Sequence, residues 1–143
     1  MFRSHRVLVA LSCLLACGRI EAQTPHLPAI VDRGLKAYRS GGADAAVHAW
    51  LTNSPIAHDS GAVGSVAALR QIEQAYGPMV GYEVLKVSPI GSHLLKVYLM
   101  ILYQRGPLYM WFECYETGSE WLVSAFLFNP RPEAILPPSL LDH

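Results

Sequence analysis

Residues 93–128 read HLLKVYLMILYQRGPLYMWFECYETGSEWLVSAFLF. Three apolar-rich runs, His93 to Tyr103, Leu108 to Tyr115 and Glu120 to Phe128, are separated only by Gln104-Arg105-Gly106-Pro107 and Thr117-Gly118. Period-two runs bounded by turn residues predict strands. Connections this short force antiparallel neighbours, because a parallel return needs a crossover of about a dozen residues or more. A further strand is predicted upstream over Val80 to Val87, closed by Ser88-Pro89-Ile90-Gly91, which makes a four-stranded meander.

Two-residue turns at Arg105-Gly106 and Thr117-Gly118 would fix the pairing and sort the side chains onto two faces. One face collects Val97, Leu99, Ile101, Tyr103, Leu108, Met110, Phe112, Cys114, Trp121, Val123, Ala125 and Leu127. Each large side chain buried there is worth about 1.5 to 3 kcal/mol, so this is the face expected to meet other elements. The opposite face carries Lys96, Tyr98, Met100, Leu102, Tyr109, Trp111, Glu113, Tyr115, Glu120, Leu122, Ser124, Phe126 and Phe128. In this register Tyr98 faces Glu113 and Lys96 faces Tyr115, which gives a cluster of Lys, Glu and Tyr. Aromatics around a few polar groups suit recognition of a ligand or of another subunit. The same pattern also occurs on a plain solvated or dimerising sheet.

Between residues 27 and 78 the period is helical. Leu27, Val31, Leu35 and Tyr38 share a face, with Pro28 suited to a first turn and Ser40-Gly41-Gly42 to an end. Ala46, Val47, Trp50 and Leu51 mark a second helix from Ala43, stopped before Thr52-Asn53-Ser54-Pro55. Asp59 or Ser60 caps a third, striped by Val66, Leu69, Ile72 and Tyr76 and closed by Gly77-Pro78. Three helices followed by an antiparallel meander predict an α+β domain with the helices on one face of a curved sheet.

The chain begins with Arg3, His5 and Arg6, an apolar run from Val7 to Ala16, and Ile20-Glu21-Ala22. That layout reads as a signal peptide over residues 1–22, too short to remain as a transmembrane span, and it predicts an exported, periplasmic or secreted protein. Leu14-Leu15-Ala16-Cys17 offers an alternative, a lipoprotein box with Cys17 as the lipidated first residue. The chain has 11 Lys and Arg against 11 Asp and Glu. Arg3, Arg6, Arg19 and Glu21 fall in the leader, so the mature balance is slightly acidic and carries no electrostatic footprint for nucleic acid. Cys13 and Cys17 also fall there, leaving Cys114 without a disulfide partner. Apolar burial must then supply the stability, and 52% hydrophobic residues make that feasible.

The paired short helices, a third helix ending in Tyr76-Gly77-Pro78, the long strands, and Trp121-Leu122-Val123 followed by Phe126 and Phe128 resemble the nuclear transport factor 2-like superfamily. Ketosteroid isomerase and SnoaL-like cyclases belong to it. The resemblance covers roughly residues 27–129 and implies a cone-like α+β barrel. The domain would span residues 23–129, and 130–143 would form a Pro-rich tail extended over the surface. It also implies a ligand cavity between sheet and helices, where Tyr38, His48, Tyr76 and Tyr103 supply the polar groups. Shared architecture does not choose among the enzymes, binding modules and dimerisation scaffolds of such a superfamily.

A Tyr such as Tyr38 or Tyr103 could polarise a carbonyl, but isomerase chemistry also needs a carboxylate base and a second acid in the cavity. Asp32 and Asp44 read as helix-surface residues and Asp59 as a cap. His48, His58 and His93 lack metal-site spacing, Cys114 alternates with core residues, and neither a phosphate loop nor a nucleophile elbow appears. No cofactor or metal is therefore expected. The sequence points to an exported module that binds an apolar small molecule or a protein, and that forms a homodimer through its sheet face at Lys96, Tyr98, Trp111, Glu113 and Tyr115. An isomerase, lyase or cyclase using the cone pocket is the alternative, and an accessory lipoprotein anchored through Cys17 is another.

Overall fold

Alternation along β2 and β3 builds the centre of the molecule. In the computed structural model, which describes residues 26–142, the elements are α1 (Ala29–Trp50), α2 (Ser60–Tyr76), β1 (Met79–Ile90), β2 (Leu94–Tyr103), β3 (Gly106–Glu116) and β4 (Trp121–Asn129). The expected leader, its expected cleavage site and Cys17 lie outside the described residues. The strands form one antiparallel sheet in the order β1-β2-β3-β4. The fold is therefore α+β, with a four-stranded antiparallel sheet and two helices. Among the described residues no helix is long and apolar enough to cross a membrane.

Three helices are expected from the sequence, whereas the structure has two, the first bent at Gly42. That residue adopts φ 72° and ψ −163°, far from helical values and open to glycine for want of a Cβ. The bend is sharp. Trp50 Nε1 donates to the Val31 carbonyl at 3.2 Å, although 19 residues of straight helix would separate the two by about 28 Å. The two arms of α1 thus fold back against each other. Their inner faces bury Val31, Leu35, Tyr38, Ala46 and Trp50. In α2 only Ala62 and Leu69 are buried, while Val66, Ile72 and Tyr76 pack half-buried against the core. Gly77, at φ 84°, ends α2. Asp59 occupies its N-cap position, but the carboxylate makes no capping hydrogen bond; only the Asp59 carbonyl accepts, from Ala62 N–H at 2.9 Å.

The sheet buries Val97, Leu99, Ile101, Leu108, Met110, Phe112, Cys114 and Val123 completely. Two features of the register differ from the sequence reading. The β2–β3 turn is Gln104-Arg105, which places Tyr98 opposite Trp111 and Lys96 opposite Glu113. That slip is even, so the faces survive. Between β3 and β4, Glu113 pairs with Ala125 and Cys114 with Val123, leaving Ser124 as a bulge, and a four-residue connection replaces the expected two. One extra residue reverses the alternation beyond it. Phe126 and Phe128 therefore turn inward onto the core, and Leu127, expected inside, is 48% exposed. The tail is not simply extended: Pro132–Ala134 and Pro138–Leu140 form single 3-10 turns, and Ile135 and Leu136 are buried outside the main cluster.

Candidate functional site

Of the four residues expected in the interior, Tyr38, Tyr76 and Tyr103 come together and His48 does not. The hydroxyls of Tyr38 and Tyr103 are 2.6 Å apart, and the two residues are 2% and 5% exposed. Tyr38 stacks on Trp50 at 6.1 Å between ring centroids, and Tyr76 meets Tyr103 edge-on at the same distance. Burial, then the hydrogen bond to Tyr103, drives the Tyr38 phenol above its ordinary range. Burial likewise pushes Tyr103 up to about 12, against the opposing effect of its hydrogen bond with Tyr38. Both phenols are neutral hydrogen-bonding groups at physiological pH.

Glu73 is the functional candidate that sequence reasoning missed. Its negative charge raises both phenols, and its carboxylate lies within reach of the Tyr38 hydroxyl's field from the α2 side. A Cβ on Gly42 would meet Glu73 Oε1 at 3.4 Å, which places the carboxylate beside the bend of α1. The signal was present: Leu69, Ile72, Glu73 and Tyr76 follow the i, i+3, i+4, i+7 spacing of one helix face.

His48 is exposed, because the face that buries Ala46, Val47 and Trp50 excludes position 48. It belongs instead to an open groove of about 640 Å³ between the second arm of α1 and the start of α2. Val47, Leu51, Ala62 and Val66 supply apolar lining; His48, His58, Asn53 and Asp44 supply polar groups. Asp44 is held by Arg70, whose Nε lies 2.7 Å from Oδ2.

On the far side of the sheet the expected ionic cluster is partitioned. Lys96 Nζ sits 3.7 Å above the Trp111 ring as a cation–π contact. Glu113 Oε1 accepts from Ser124 Oγ at 2.9 Å. Lys96 and Glu113 face each other across the strands, yet each takes a different partner. Tyr98 is half-buried and Tyr115 is 49% exposed. Cys114 is fully buried, and burial, aided by the charge of Glu113, pushes its thiol up to about 12, which removes it as a nucleophile. Among the described residues no group of His, Cys, Asp or Glu is placed to hold a metal. Comparison of the chain with known protein families, curated proteins and solved structures finds no match to any of them.

Proposed function

We propose that the chain is an exported interaction module of the nuclear transport factor 2-like type, without chemistry of its own, which pairs with a second copy through the outer face of its sheet. The two arms of α1 together with α2 give three helical runs, in keeping with the cone-like architecture. One observation carries the reading. The interior hydroxyls are spent on each other and enclosed by Trp50 and Tyr76, while Tyr98, Trp111 and Tyr115 stand on the face away from the helices.

That outer face also holds acids and bases in equal number, Glu113 opposite Lys96, and Glu83 and Lys86 of β1 paired with Met100 and Tyr98. A two-fold interface uses the same patch twice and so favours a surface that is charge-balanced within itself. The test is molar mass by light scattering over a concentration series. A concentration-dependent dimer is expected, with Trp111→Ala and Tyr98→Ala each weakening it about tenfold, as loss of a central aromatic does at interfaces. A strict monomer, or a dimer indifferent to both changes, overturns the reading.

A second reading rests on the groove between α1 and α2, whose apolar floor and volume of about 640 Å³ suit a small apolar ligand. Quenching or enhancement of an apolar fluorophore that disappears in Val47→Asp would support it. The isomerase reading finds a donor pair in Tyr38 and Tyr103 and a carboxylate in Glu73. Because the hydroxyls satisfy each other at 2.6 Å, a substrate oxygen would have to displace one of them.

A further inference from the structure

The two outer strands of the sheet are treated very differently by the sequence. β1 carries Glu83, Lys86 and Pro89, and its register breaks twice, between Met79 and Gly81 and between Val84 and Lys86. Charges, proline and bulges are the means by which natural edges avoid pairing with another chain. β4, Trp121–Asn129, contains no charged residue and no proline, and its register against β3 breaks once, at Ser124. Among the described residues no strand pairs with its other side.

At one point that vacancy is already answered from outside the ladder. Ser54, in the connection between α1 and α2, donates its hydroxyl to the Val123 carbonyl at 2.6 Å. Beyond Val123 the edge opens. Ser124 to Leu127 form one wall of a groove of about 330 Å³, and Gly61, Ala62 and Ser65 of α2 form the other, with Ile56 and Asp59 at the α1–α2 connection. Small residues on the helix side leave space beside the strand: a Cβ on Gly61 would meet nothing within 4 Å.

We propose that this groove receives an extended peptide segment of a partner protein as a fifth strand on β4. Unpaired strand N–H and C=O groups offer main-chain hydrogen bonds, and a trough bounded by a strand and a helix admits one extended chain. A second copy of the domain fits less well. In a two-fold pairing of β4 with β4, both copies would bring the first turns of α2 over the same seam. Apolar residues at alternate positions of the peptide would face Ala62 and Phe126. A Lys or Arg would lie at the end near Asp59, the one charged side chain that lines the groove. This site does not depend on the outer-face dimer.

The probe is a phage-displayed library of random octapeptides, selected on the protein expressed from its full coding chain. Gly61→Phe, which puts a bulky side chain on the helix wall of the groove at a position where a Cβ meets nothing within 4 Å, is the counter-selection. Enrichment of proline-poor sequences with alternating apolar residues and a basic end is expected. Synthetic copies should bind at least tenfold more weakly to Gly61→Phe and to Asp59→Lys, and N-methylation at alternate residues should abolish binding. Failure of any sequence to enrich on the unmodified protein over Gly61→Phe overturns the proposal. So does a winner that tolerates N-methylation, since its contacts would not be main-chain. A dimer lost in Gly61→Phe but kept in Trp111→Ala would assign the edge to a second copy, and also overturns it.

Discussion

A Cβ built on Gly34 would lie 2.0 Å from Cδ1 and Nε1 of Trp50. Gly34 and Trp50 stand on opposite arms of the bent first helix, so the absence of a side chain at one position is what lets the indole of the other lie flat between the arms. In a helix interior Gly→Ala ordinarily stabilises by roughly 0.5 to 1 kcal/mol. At Gly34 the sign is expected to reverse, with overpacking costing about 1 to 3 kcal/mol. Gly64 in α2 is the control, because a Cβ there meets nothing within 4 Å. Urea denaturation of Gly34→Ala and Gly64→Ala should move the midpoint in opposite directions.

The Tyr38–Tyr103 pair is expected to behave as a unit. Removing one hydroxyl leaves the other buried without its partner and costs about 1 to 3 kcal/mol, whereas removing both is nearly neutral. A cycle of Tyr38→Phe, Tyr103→Phe and the double change, measured by equilibrium unfolding, should show a coupling of about 1 kcal/mol or more. Additive losses would mean that the 2.6 Å contact contributes nothing.

Alkaline pH should destabilise the domain. Burial raises Tyr103 from 10.0 and Cys114 from 9.0, each to about 12. The folded state holds these protons where the unfolded chain releases them. Their stabilisation is therefore complete below the unfolded values and is lost as pH rises from 9.0 through about 12. Tyr38 shifts in the same direction. The urea midpoint should fall steadily over this window, and Cys114→Ala should delay the onset. A midpoint that stays flat would contradict the burial of all three.

Ser54→Ala should cost about 1 to 3 kcal/mol, since the Val123 carbonyl loses its 2.6 Å donor in a buried setting. Thermal unfolding is the measurement. Ser54→Thr, which keeps the hydroxyl, should recover part of the loss.

Deleting Ser124 should be far more harmful than replacing it. Without the bulge, Leu127 turns inward while Phe126 and Phe128 turn outward, and each Phe returned to water forfeits about 1.5 to 3 kcal/mol. Loss of cooperative unfolding is expected for the deletion, and a native-like transition for Ser124→Ala. A cooperative deletion variant would mean that the strand re-registers without penalty.

Much of this arrangement was legible in the chain. Alternation from Val97 to Tyr103 and from Leu108 to Cys114 identified the buried face, and it survived a misplaced turn because the slip was by two residues. The last strand was read inside out beyond Val123, since a bulge at Ser124 has no compositional mark: Ser is tolerated in either alignment. His48 was misassigned by counting it as interior although the Ala46, Val47 and Trp50 stripe leaves it outside. Glu73 was overlooked because charged residues default to the solvent face, while its neighbours Leu69, Ile72 and Tyr76 had already fixed the opposite orientation. The tail escaped because four prolines rule out a strand without saying what Ile135 and Leu136 bury against.

The depth of Cys114 makes the sheet its own stopwatch. A thiol reagent has no route to that sulfur until the strands part from the helical layer, so the delay before modification at this position counts openings of the domain. No cysteine has to be engineered into the core to follow those openings.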